Sequence, residues 1–123
     1  MTEAAPLAEL TTLRVGGPAA RMVTATTEDE LVALARETWE AGGPWLVLGG
    51  GSNLLVGDEG VPGTVIRIAT TGIATRAGGD PHTVRLRVQA GERWDDLVAY
   101  TVSRGWSGIE ALSGIPGSVG AAP

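Results

Sequence analysis

The hydrophobic and polar positions fall into short runs whose period changes along the chain. Ala20 to Ala25, entered through the turn-forming Val15-Gly16-Gly17-Pro18, reads as a first strand. Thr27 followed three residues later by Glu30 has the spacing of a capping box, and Glu28 and Asp29 put negative charge where a helix dipole favours it. Leu31, Leu34, Ala35 and Thr38 then recur at helical spacing until Gly42-Gly43-Pro44 stops the run, so the pattern predicts a helix over 28–41. Trp45-Leu46-Val47-Leu48 is a continuous apolar run between Pro44 and three glycines, suited to a strand buried on both faces. Strand, helix and strand together make a βαβ unit.

Two more apolar runs, Leu54-Leu55-Val56 and Thr64 to Ile68, flank the turn Gly57-Asp58-Glu59-Gly60. Gly72 to Pro81 reads as a loop or weak hairpin. Val84, Leu86 and Val88 alternate with Arg85, Arg87 and Gln89, which predicts a strand with one wet face. Trp94, Leu97, Val98 and Thr101, with Val102 beside them, form the stripe of a second helix over 94–104, ended by Gly105. Residues 1–13 carry no period and read as a leader, while the segment after Glu110 has turn residues followed by small residues suited to a helix start.

A chain of 123 residues has room for one modest domain. Glycine is unusually frequent at 19 positions, about twice the ordinary share, so loops take much of the chain. The net charge of −5, with all nine basic residues being singly spaced arginines, argues against nucleic acid or anionic lipid as a partner. Without cysteine there is no disulfide, thiolate nucleophile or cysteine metal site. The start lacks the pattern of a signal peptide and no apolar run approaches a membrane span, so the cytoplasm is the expected compartment.

Candidate chemistry concentrates in two glycine clusters. Gly49-Gly50-Gly51-Ser52-Asn53-Leu54 follows the apolar run that ends at Leu48; bare main-chain N–H groups and a Ser hydroxyl there can hold a phosphate without a lysine, and Asn tolerates a left-handed backbone. Leu54 breaks the Rossmann G-x-G-x-x-G pattern, no P-loop lysine follows, and the same residues also suit a plain tight turn. Ser113-Gly114-Ile115-Pro116-Gly117-Ser118-Val119-Gly120 offers the same physics, or else a helix-entry turn packed closely on a strand. Two amide-rich loops in an acidic chain suggest a bound diphosphate. Elsewhere the residues are bland: His82 as a solvated loop histidine without a metal partner, Asp95 and Asp96 as dipole partners of the second helix, Arg85 and Arg87 on a wet strand face, and the four tryptophans as core or core-edge volume.

Thr12-Leu13-Arg14-Val15-Gly16-Gly17-Pro18-Ala19, Leu48 to Leu54, Ala90-Gly91-Glu92 and Gly105-Trp106-Ser107-Gly108-Ile109-Glu110 running into Gly114 to Gly120 resemble, in that order, the N-terminal part of the UDP-N-acetylenolpyruvoylglucosamine reductase (MurB) family. The resemblance implies an α+β fold: an N-terminal βαβ lobe, about 14–70, and the beginning of a second, mixed-sheet lobe, about 71–123, of a PCMH-type FAD-binding domain. It implies a flavoenzyme of peptidoglycan precursor synthesis in which NADPH reduces FAD and the flavin passes hydride to the enolpyruvyl group of a UDP-sugar, the parent being a monomer. Gly49, Gly50, Gly51, Ser52, Asn53 and Leu54 would hold the FAD pyrophosphate, and Ser113, Gly114, Ile115, Gly117, Ser118 and Gly120 would line the pyrophosphate and isoalloxazine side. The family's proton-donating serine, enol-stabilising arginine and supporting glutamate match positions beyond Pro123, so the resemblance assigns no catalytic residue and no metal ligand here. A stand-alone nucleotide-binding module and a PCMH-type FAD-dependent oxidase are the competing expectations.

Overall fold

The computed structural model describes residues 6–122, and residues 1–5 of the expected leader lie outside them. A 3₁₀ turn at Leu7–Leu10 leads to β1 (Ala19–Ala25), α1 (Glu28–Ala41), β2 (Trp45–Leu48) and β3 (Val61–Ile68). β4 (Ile73–Arg76), β5 (Arg85–Val88) and α2 (Trp94–Ser103) follow, with 3₁₀ turns at Glu110–Leu112 and Val119–Ala121. The α+β class is as expected from the sequence.

The first lobe is a three-stranded parallel sheet in the order β1-β3-β2. The connection from β1 through α1 to β2 steps over one strand position, and β3 fills it, pairing with Arg21 to Ala25 on one side and with Trp45 to Leu48 on the other. Leu7, Met22, Leu48, Val56 and Val65 form its core. The second lobe is the antiparallel hairpin β4-β5, in register from Ile73 opposite Val88 to Arg76 opposite Arg85, covered by α2. Trp94, Leu97 and Val98 of α2 pack with Ile73, Leu86, Val88, Ile109 and Val119.

Helix α1 begins and ends where capping chemistry dictates. The Thr27 hydroxyl accepts from Glu30 N–H at 3.2 Å, Glu30 accepts from Thr27 N–H at 3.3 Å, and Gly42 leaves the helix with a positive φ of 71°. In α2 the stripe Trp94, Leu97, Val98 and Thr101 is buried, and Val102 is exposed.

Three expectations are corrected by packing. β2 is an edge strand with alternating exposure, Trp45 being 50% and Val47 46% exposed, because β3 pairs with only one of its edges and only the Leu46 and Leu48 face packs into the first core. The apolar run Leu54-Leu55-Val56 splits between environments: Val56 turns into the first core while Leu55 is 73% exposed. Leu7, expected within a leader, is fully buried, and its N–H donates to the Gly17 carbonyl at 3.1 Å. Trp94 lies in a core, but Trp39 is 59% exposed and stacks obliquely on Trp45 at the surface. The described end of the chain makes a 3₁₀ turn at Val119–Ala121. Among the described residues, no helix is long and apolar enough to cross a membrane.

Candidate functional site

The first glycine cluster leaves the carboxyl end of β2, which places it at the edge of a parallel sheet where open α/β sheets commonly bind ligands. Gly51 there has φ +69°, a left-handed conformation suited to glycine. A Cβ on Gly51 would overlap the Leu10 carbonyl oxygen, and the Gly51 carbonyl accepts from Thr12 N–H at 3.0 Å. The segment around Leu10 to Thr12 is thereby packed against the loop.

The second cluster is held by the entrance to α2. Gly117 and Val119 make a short two-stranded bridge with Glu92 to Trp94: Val119 N–H donates to Glu92 at 2.9 Å and Trp94 N–H to Gly117 at 3.4 Å. The Trp94 indole N–H donates to the Leu112 carbonyl at 2.8 Å. Asp95 accepts from the Ser113 hydroxyl at 2.9 Å and from Gly114 N–H at 2.7 Å, fixing the outer part of the loop. Just upstream, Gly108 N–H donates to the Glu110 carboxylate at 2.6 Å, which holds that carboxyl below its ordinary range.

These two supports bring the clusters face to face although more than sixty positions separate them. A Cβ on Gly50 would lie 3.4 Å from the Gly117 carbonyl carbon, one on Gly117 would lie 3.0 Å from Ser52 Oγ, and one on Gly49 would lie 3.0 Å from Ser118 Oγ. Added carbons at Gly49 and Gly117 would press on the Ser118 and Ser52 hydroxyls, whereas one at Gly50 would only reach ordinary contact with the Gly117 backbone.

The junction is rich in unused donors. Among the described residues, no hydrogen bond takes up the N–H of Gly50, Gly51, Ser52 or Asn53, or of Gly117 or Ser118. The Ser118 hydroxyl is buried against Gly49 without a partner, and the Thr11 hydroxyl is buried without a partner near Gly51. Buried polar groups ordinarily find partners. A cradle of free amides with unsatisfied hydroxyls fits a diphosphate, whose oxygens accept hydrogen bonds.

Not every expected residue joins this junction. Gly49, Gly50, Ser52, Gly117 and Ser118 meet directly. Asn53 is exposed on the same turn, and Leu54 packs against the first core. Ser113 and Gly114 are tied to Asp95, Ile115 is 66% exposed, and Gly120 packs on Ala90, to whose carbonyl its N–H donates at 2.8 Å. Arg87, one of the two strand arginines, is paired with Glu28 at 3.0 Å.

The sequence singles out neither Thr11 nor Arg67, which line a cleft beside Gly49 and Gly50 together with Arg14, and it offers Asp95 only as a dipole partner, not as the anchor of Ser113 and Gly114. Arg67 carried a signal, since it interrupts the apolar run Val65-Ile66-Ile68 on a strand buried in the middle of the sheet.

Residues 19–123 match the FAD binding domain family. Over the whole chain the sequence is 57% identical to a UDP-N-acetylenolpyruvoylglucosamine reductase of Leifsonia xyli, covering 32% of it. It is 53% identical over 119 residues, 97% of this chain, to the protein of the same name in Streptomyces avermitilis, covering 31% of that one. The crystal structure of the Thermus caldophilus UDP-N-acetylenolpyruvylglucosamine reductase superposes with a TM-score of 0.70 at 38% identity, covering 98% of this chain and 40% of that one. The chain thus spans about a third of the length of the curated relatives it matches.

Proposed function

The chain belongs to the FAD binding domain family, and from that premise we propose that it is the cofactor-holding portion of a longer FAD-dependent reductase acting on UDP-N-acetylglucosamine enolpyruvate. The observation that carries the proposal is the meeting of Gly49, Gly50 and Ser52 with Gly117 and Ser118 around unused N–H donors. The identity of 57% to a reductase of that name supports the choice of substrate.

On this reading the lobe of about 14–70 supplies the first amide turn and the lobe of about 71–123 supplies the second. Gly49 to Asn53 and Gly117 to Ser118 would hold the cofactor diphosphate through N–H groups and hydroxyls. Asp95 would keep the outer loop, Ser113 to Ile115, shaped for the flavin side. FAD bound there would supply two-electron hydride transfer from NADPH to the enolpyruvyl group, with the product UDP-N-acetylmuramate. The chain's own part is to bind and orient. Proton donation to the substrate belongs to residues outside these positions. A cytoplasmic, monomeric enzyme of peptidoglycan precursor synthesis is the setting in which this chemistry fits.

The test is made on the protein expressed from its complete coding sequence. It is expected to purify yellow and to oxidise NADPH only when the UDP-sugar enolpyruvate is added. A colourless product, or NADPH oxidation that consumes oxygen at an equal rate without the UDP-sugar, would overturn the reductase reading.

A further inference from the structure

The first glycine turn, which meets Gly117 and Ser118, also borders a cleft of about 490 Å³ lined by Glu9, Leu10, Thr11, Thr12, Arg14, Gly49, Gly50 and Arg67. Three segments distant in sequence meet there: the amino-terminal turn, the exit of β2, and the last turn of residues of β3, where Arg67 pairs with Leu48.

The charge in this cleft is unbalanced. Among the described residues the ion pairs are Arg21 with Glu37 and Arg87 with Glu28, so neither Arg14 nor Arg67 is paired, and neither donates a described hydrogen bond. Glu9 is the single acidic group on the lining, against two guanidinium groups and the free N–H of Gly50. Arg67 is half-buried within a central strand, where an unpaired guanidinium is costly unless something meets it. Arg14 has φ +54°, the only non-glycine residue with positive φ among those described, and such strain collects at functional sites. In a chain of net charge −5, two free arginines beside a bare glycine turn are where a polyanion would find attraction.

We propose that Arg14 and Arg67 are charged ligands of the cofactor diphosphate, clamping it from the cleft side of the Gly49-Gly50 turn. The inference rests on the FAD reading above and adds two binding residues to it. Amide donors set the geometry of such a site, while guanidinium groups supply full charge and paired donors that match phosphate oxygens. The clamp also explains how an acidic protein captures a dianion: the long-range attraction is local to this cleft, and the amides act at contact.

Arg14→Gln, Arg67→Gln, the double variant and Arg67→Lys are compared with the wild type, each as the full-length protein freed of flavin. FAD, ADP and riboflavin are titrated by fluorescence or calorimetry at low and high salt, with thermal melts as the folding control. Each Gln variant is expected to bind FAD and ADP about tenfold more weakly, the worth of one charged hydrogen-bonding group. Riboflavin, which has no phosphate, is expected to bind unchanged. The salt dependence of FAD binding is expected to shrink in the double variant, and Arg67→Lys is expected to recover part of the loss. Wild-type-like FAD affinity in the double variant would overturn the clamp and leave the FAD reading standing. Equal weakening of FAD and riboflavin would overturn it too, because the effect would then be structural. A wild type that binds neither FAD nor ADP would remove the FAD reading itself. Should Arg67→Gln unfold, Arg14→Gln decides: a folded protein with the wild-type FAD affinity and salt dependence would overturn the clamp.

Discussion

Gly50 and Gly51 are neighbours of identical chemistry, yet a methyl group would act differently on each. At Gly51 the backbone is left-handed and the added carbon would overlap the Leu10 carbonyl oxygen. The conformational term alone costs about 1–2 kcal/mol for an L-residue, and the overlap adds to it. Gly51→Ala is therefore expected to lower the unfolding free energy by ~2 kcal/mol or more in urea. Gly50 has no positive φ, and its added carbon would make ordinary contact with Gly117 at 3.4 Å. Gly50→Ala should leave stability within about 0.5 kcal/mol. On the proposed reading the methyl would instead stand where a phosphate approaches the amide, weakening FAD binding by ~1–3 kcal/mol. Urea melts and flavin titration of both variants separate the two effects, and unchanged FAD affinity in Gly50→Ala would make the loop only a turn. The sequence shows both positions as glycine. Which of them spends its freedom on backbone shape and which on approach depends on φ and on Leu10, neither of which is local to the cluster.

Helix α1 shows the opposite case, an element whose limits are written in its own residues. The capping box at Thr27 and Glu30, the acidic first turn and the Gly42 stop all act within a few positions, so the range 28–41 could be read directly. Thr27→Ala is expected to cost about 1 kcal/mol of stability. Glu30 adds a pH signature. The Thr26 N–H at 2.9 Å, then the Thr26 hydroxyl at 2.8 Å and the Thr27 N–H, hold the Glu30 carboxyl below its ordinary 4.5. A carboxyl depressed in the folded state stabilises above its unfolded pKa, and that stability is lost as pH falls through the folded value. Glu30→Gln should thus melt below the wild type at pH 7, with the two curves converging in acid; a constant gap across the acid range would count against this assignment. The strand β2 and the run Leu54 to Val56 were less legible for a physical reason. An apolar run is silent on how many of its faces find a partner, and only the sheet order shows that β2 lies at the edge.

At the scale of the whole molecule, the proposed site lies where the loop after β2 meets the loop held by the entrance to α2. Both glycine clusters were visible in the sequence, but the fact that Gly50 faces Gly117 comes from the sheet order of one lobe and the Glu92–Trp94 bridge of the other. What holds the lobes in register is therefore part of the site. Gly91 is packed against Thr70, where a Cβ would lie 2.6 Å from its backbone, and the Arg87 guanidinium reaches across from β5 to Glu28 at the start of α1, with Gln89 adding a bond of 3.3 Å. The Arg87–Glu28 pair is about half exposed, 53% and 56% at the two side chains, so it is a weak latch. A double-mutant cycle with Arg87→Ala and Glu28→Gln should give a coupling of about 0.2–1 kcal/mol at low salt. Near 1 M salt, where the screening length is about 3 Å, the coupling should vanish. FAD affinity in the single variants should fall by no more than the coupling itself, because the latch acts on the cradle only through the spacing of the lobes. Loss of FAD well beyond that amount would mean that the latch, more than the packing of Gly91 on Thr70, sets the opening between Gly50 and Gly117.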